Sequence, residues 1–144
     1  MYKKILVPLD GSLLAEAVLP HVEALAKSEH SELIILRVPA TPASEFLARD
    51  PTVASIIMKD MEEEAENYVH DKVTYFEDEH IKATGITKEG SVPDMILEVA
   101  EETHADMIAM STHGRTGMQR WLMGSVADKI VHHAHIPVML IHPN

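Results

Sequence analysis

The stretch Asp106-Met-Ile-Ala-Met-Ser-Thr-His-Gly-Arg-Thr-Gly-Met-Gln-Arg-Trp-Leu-Met-Gly-Ser-Val-Ala-Asp-Lys-Ile-Val-His-His133 decides the fold. Its first five residues, apolar from Met107 to Met110, look like a buried strand, and Val126 to His133 has the spacing of a helix whose start is marked by Gly124 and Ser125. Between them lies a glycine-rich loop. Amides at a helix start have no intrahelical acceptor, and the helix dipole places partial positive charge on them, so this loop reads as a cradle for an anion. Gly114, Gly117 and Gly124 admit close approach of the main chain to a ligand and positive φ where a nest of amides needs it. Arg115, Arg120 and Lys129 against Asp128 give residues 113–129 a charge of +2 within a chain of net charge −11.

Outward from this unit the same alternation recurs. Lys4-Ile-Leu-Val-Pro-Leu9 opens as a strand, and Asp10-Gly-Ser12 supplies a turn and an N-cap for a helix over about 13–28, with Leu14, Ala17, Val18, Val22 and Leu25 on one face. Residues 33–38 predict a second strand. The connection 39–51, with its three prolines, is the longest irregular segment and the candidate for a flap. Val53, Ile57, Met61, Ala65, Tyr68, Val73 and Phe76 then mark one side of a long helix over about 52–78. A weaker strand over 81–88 precedes a third helix starting at Val92, with Ile96, Leu97, Val99 and Ala100 inward, and residues 136–142 close as a final strand. Five apolar strands separated by helices, with no hairpin signal, predict a doubly wound, Rossmann-like α/β domain on a five-stranded parallel sheet. In such sheets ligands lie beyond the carboxyl ends of the strands where strand order reverses, so the ends at Pro8–Asp10 and Ser111–Gly117 are expected to face one pocket.

A chain of 144 residues that is 46% hydrophobic, with no repeat or linker, predicts one domain over 1–144. The absence of cysteine excludes disulfides and thiolate zinc sites. No apolar stretch approaches the roughly 20 residues of a membrane span, and no signal-peptide core follows Lys3 and Lys4, so a cytoplasmic protein without a membrane role is expected. Between Asp60 and Glu79 nine acids face the single base Lys72, which reads first as a solvated helix face and second as a docking surface for a basic partner. No basic stripe with interleaved aromatics appears, so nucleic-acid binding is not expected.

With these segments in place, the chain resembles the universal stress protein family: Lys4-Ile-Leu-Val-Pro-Leu-Asp-Gly-Ser12, the Ser-Thr-His-Gly loop, Gly124-Ser125 and Ile136-Pro-Val-Met-Leu-Ile141 occur in its order and spacing. Only about 39–78 is uninformative. The resemblance implies a fold similar to the adenine nucleotide alpha hydrolases, and binding of ATP with Mg2+. Nucleotide-binding members carry Gly, two residues, Gly, nine residues, Gly and Ser or Thr. Gly114 and Gly124-Ser125 match its second half, whereas Ser111 stands at the first glycine. The family's site, transferred by position, implies that Pro8, Asp10 and Val38 border the adenine and ribose. It likewise implies that Ser111, Thr112, His113, Gly114, Arg115, Thr116 and Gly117 surround the phosphates together with Gly124, Ser125, Val126 and Ala127.

Plainer roles stand beside these: Asp10 and Ser125 as helix caps, His113 as a loop-holding hydrogen bond, Trp121 and Met118 as loop packing. His132, His133 and His135 read as a polar helix end rather than a metal site, since adjacent helical histidines diverge by about 100°. No Gly-Lys-Ser/Thr follows the glycines and no nucleophile–base pair is legible, so dedicated catalysis is not expected and slow ATP hydrolysis is the most that is. The leading reading is a dimeric nucleotide switch with an unidentified protein partner; a nucleotide-free dimeric scaffold is the alternative, and an ATP-using enzyme the third. Pro137-Val-Met-Leu-Ile141 carries no charge and would be an aggregation risk as an open edge, so the homodimer is expected to form there.

Overall fold

The structure, a computed structural model, describes residues 1–39, 49–113 and 123–143. The parallel strands are β1 (Lys4–Leu9), β2 (Glu32–Arg37), β3 (Ala83–Thr87), β4 (Met107–Ser111) and β5 (Val138–Ile141), in the order β3-β2-β1-β4-β5. The helices are α1 (Leu19–Glu29), α2 (Pro51–Asp78), α3 (Val92–Glu102) and α4 (Ser125–His133), with a 3-10 turn at Ala15–Val18 leading into α1. The α/β fold expected from the sequence is the fold observed.

Both faces of the sheet are apolar, and the strand period of two sorts the side chains between them. Ile5, Val7, Leu33, Ile35, Met107 and Ala109 join Val18 and Val22 at the first helix and Val69 and Phe76 of α2. Leu6, Ile34, Leu36, Ile108 and Met110 join Ile96 and Val99 of α3 and Ala127 and Ile130 of α4 on the opposite face. Chain direction across the sheet reverses between β1, which pairs with β2, and β4, which pairs with β5, so their outlets form the switch point.

Several boundaries differ from expectation for identifiable reasons. The first helix does not run unbroken from about 13, because Pro20 has no amide to give the carbonyl of Glu16; the α-helix starts at Leu19 with Pro20 in its first turn. The 3-10 entry shifts the phase, so Ala15, Val18, Val22 and Ala26 are buried and Leu14 is exposed. Asp50 caps α2, accepting from Val53 N at 3.2 Å, and Val53 faces solvent instead of the core. In the buried stripe Ala54 takes the place expected for Val53. Most of the presumed flap, 40–48, lies outside the described residues.

β3 is shorter than its predicted span. Gly85 lies within it because α2 crosses closely: a Cβ there would stand 2.3 Å from Val69 Cγ1. β5 occupies a sheet edge, a placement that strand spacing could not reveal, and its four residues are all half-buried.

Candidate functional site

A cavity of about 290 Å3 opens at the switch point. Pro8, Leu9 and Asp10 enter it from the end of β1, Leu36, Arg37 and Val38 from β2, and Met110 to His113 from β4. The first turns of α3, through Val92 and Ile96, and of α4, with Gly124 at its cap position through Ala127, close the far side. Parallel βα units make this convergence unavoidable, since each helix begins at the edge where its preceding strand ends.

The cavity lining combines apolar side chains with open backbone amides. Pro8, Leu36, Val38, Val92, Ile96 and Met110 provide an apolar slot. In the same lining, the start of α4 has no side-chain cap, and the first intrahelical donor is Asp128 N, bonded to Gly124 O at 3.0 Å. The amides of Ser125, Val126 and Ala127 therefore have no acceptor among the described residues, as the first turn of a helix dictates. Ser125 is the first helical residue and Gly124 the cap, so the reading of Ser125 as the side-chain cap is corrected.

Gly124 has φ −61°, which any residue adopts; its lack of a side chain matters for another reason. Gly124 N donates to Thr112 O at 2.7 Å, and a Cβ would lie 3.0 Å from that same carbonyl. The glycine thus lets α4 seat directly on the outlet of β4, and the close approach is to the protein's own backbone. Ser111 is buried, with its backbone outside the left-handed region, which among the non-glycine described residues holds only His30, His80 and His104. Its hydroxyl accepts from His113 N at 3.4 Å. Serine at this position is therefore accommodated by the strand end without strain.

Asp10 organises the first turn. Its Oδ1 accepts from Ser12 N at 2.9 Å and from Ser12 Oγ at 2.6 Å, while Ser12 Oγ accepts from Ala15 N at 3.1 Å. Leu14 stands at the cap position of the 3-10 turn, so neither Asp10 nor Ser12 is its cap residue; Ser12 Oγ takes the turn's first amide, Asp10 holds Ser12 in place, and Gly11, at φ 89°, makes the reversal between them.

Arg37 was legible only as a strand residue. Its guanidinium is almost fully buried, 2.9 Å and 3.3 Å from the Glu64 carboxylate oxygens and 5.0 Å from the centre of the Tyr68 ring. The Tyr68 hydroxyl donates to Glu16 at 2.5 Å, and burial followed by that carboxylate pushes the phenol far above its ordinary pKa. This cluster ties α2 to the 3-10 turn beside the cavity, with Lys72 reaching Glu16 at 3.1 Å.

Of the residues assigned from the sequence, Pro8, Asp10, Val38, Ser111, Thr112, His113, Gly124, Ser125, Val126 and Ala127 come together around this cavity. Gly114, Arg115, Thr116 and Gly117 lie outside the described residues, as do Met118, Arg120 and Trp121. The sequence reading missed Ala15, Leu36, Arg37, Val92, Ile96 and Met110, while Leu9 lies within the Pro8–Asp10 strand end it expected to face the pocket. Val92 and Ile96 carried a usable signal, because a helix following β3 in a parallel sheet must start at this edge.

The architecture is that of a parallel α/β protein with a cavity at its switch point. The chain belongs to the universal stress protein family, whose model matches residues 1–142. Universal stress protein MJ0531 of Methanocaldococcus jannaschii is 32% identical over 143 residues, 98% of this chain and 82% of that one. MJ0577 of the same organism is 31% identical over 158 residues, covering 98% of this chain and 95% of its own. The solved structure of MJ0577 covers 100% of this chain and 98% of its own with a TM-score of 0.89 at 30% identity. A family protein of Arabidopsis thaliana, solved with AMP bound, shares the fold with a TM-score of 0.72 at 17% identity, covering 99% of this chain and 92% of its own.

Proposed function

We propose that the cavity binds an adenine nucleotide, ATP with Mg2+, and that the protein acts as a dimeric nucleotide-dependent switch in the stress response. The observation that carries this reading is the joining of an apolar slot to the uncapped start of α4 in one cavity. A flat base suits the slot, and the open amides of Ser125 to Ala127 suit a phosphate. The AMP bound to the Arabidopsis family member supports the same ligand class. Residues 114–117 join the phosphate end on the strength of the motif alone. Mg2+ is held characteristically through one or two carboxylates together with phosphate oxygens, and Asp10 is the carboxylate among the described lining residues that would serve. The ion would neutralise phosphate charge. Residues 1–144 function as one unit in this account, with hydrolysis slow at most.

Melting experiments test the ligand. At a hundred times its dissociation constant, Mg-ATP stabilises the native state by about 2.7 kcal/mol, a rise of roughly 5–10 °C for a chain of this size. An equal rise with AMP would place recognition on the adenosine moiety. No rise with either nucleotide would refute the ligand assignment.

The dimer is assigned to β5, whose outer side pairs with no strand among the described residues and whose sequence is uncharged. Leu140→Lys should give a monomer in sizing chromatography with the far-ultraviolet spectrum unchanged. A folded Leu140→Lys protein still eluting as a dimer would move the interface elsewhere.

A further inference from the structure

His113 Nε2 is the one buried side-chain nitrogen or oxygen among the described residues that has no hydrogen-bond partner. The residue is 8% exposed and lines the cavity, as do Ser125 to Ala127. Its other ring nitrogen is engaged: Nδ1 lies 3.1 Å from Thr112 Oγ1. The Thr112 hydroxyl in turn lies 3.4 Å from Nδ1 of His142, the exposed residue that follows β5. Thr112 N donates to Ile141 O at 2.9 Å, which fixes the hydroxyl against the end of that edge strand.

One hydroxyl proton between two imidazole nitrogens permits two orders. If Thr112 donates to His113 Nδ1, His113 carries its own proton on Nε2, and His142 must donate from Nδ1 to the threonine oxygen. If Thr112 donates to His142, His113 donates from Nδ1, and its Nε2 is a bare lone pair. The neighbouring amides of α4 are all donors, so the occupant they select presents acceptors, and an acceptor selects the first order. The two orders form a discrete two-state element that cavity and surface both bias.

We propose that His113 donates a hydrogen bond from Nε2 to an acceptor atom of the cavity's occupant, and that Thr112 hands the resulting proton order to His142 beside the edge strand. The inference rests on the reading that the occupant is an adenine nucleotide. It gives that site a readout at the sheet edge: occupancy sets which nitrogen of His142 bears the proton, and the coupling is reciprocal.

The probe is Mg-ATP, measured by calorimetry and by 15N spectra of the histidine rings in the full chain. His113→Gln keeps an amide N–H near the position of Nε2 and should bind within about threefold of wild type, whereas His113→Asn, whose amide reaches only the Nδ1 position, should bind about tenfold more weakly. In the wild type, ATP should shift the ring nitrogens of His113 to the Nε2–H form and move those of His142. In Thr112→Val, whose shape is nearly unchanged, the His142 response should vanish. Equal binding by wild type and folded His113→Asn would overturn the contact while leaving the nucleotide site intact. A His142 response that persists in Thr112→Val would overturn the relay, whether or not the His113 variants fold. Failure of the wild type to bind ATP or AMP would remove both the contact and the nucleotide reading.

Discussion

Gly124→Val should eliminate the ATP-dependent rise in melting temperature and lower the stability of the unliganded protein. The backbone at residue 124 is extended with negative φ, so valine meets no conformational objection there. The objection is steric and comes from backbone: the first added carbon would stand 3.0 Å from Thr112 O, which cannot swing aside, and valine adds two further carbons beyond it. The start of α4 must then lift from the outlet of β4, breaking the 2.7 Å bond from Gly124 N to Thr112 O and displacing the amides assigned to phosphate. Overpacking of this kind costs about 1–3 kcal/mol. Gly124→Ala, with its single added carbon, should retain part of the ligand response, and denaturant titration with and without Mg-ATP separates the stability loss from the binding loss. Full ATP stabilisation in folded Gly124→Val would show that the helix start is not where the anion sits.

The largest effect on folding is expected at Phe76. The ring is fully buried in the layer shared by α2, the first helix and the sheet, with Tyr75 edge-on at 5.2 Å. Its backbone carbonyl also accepts from Glu79 N and Ile81 N, which end α2 and turn the chain into β3. Phe76→Ala leaves that backbone intact but opens a cavity, at a cost of about 3–5 kcal/mol. Against a total stability of about 5–15 kcal/mol for a domain of this kind, that is a large share. Urea unfolding should show a much lower midpoint with little change in slope. A loss below about 1 kcal/mol would mean that α2 does not pack as described.

What the sequence disclosed follows from burial. β1, β2 and β4 are covered on both faces, so their side chains form continuous apolar runs that read directly as strands. β3 is half-exposed and contains Gly85, which leaves little pattern to find. Pro20 was visible in the sequence and dictates the late start of α1; apolar spacing alone obscured it. The site was legible where strand ends and glycines mark it, at Pro8, Asp10 and Ser111 to His113. Arg37 was not, because its burial depends on Glu64 and Tyr68, which a long connection and several helical turns separate from it in sequence. Strand order, and with it the edge position of β5, depends on which strands pair across the sheet, and no local spacing encodes that.

The proposed site requires an acceptor-rich anion at the first turn of α4. Backbone amide spectra of the labelled protein, titrated with Mg-ATP, test it most directly. The largest shifts should fall on Ser125, Val126, Ala127 and His113, with smaller ones at Asp10 and Val38. Shifts confined to other surfaces, such as the groove between α2 and β3 around His70 and Thr87, with the amides of residues 125–127 unmoved, would contradict it.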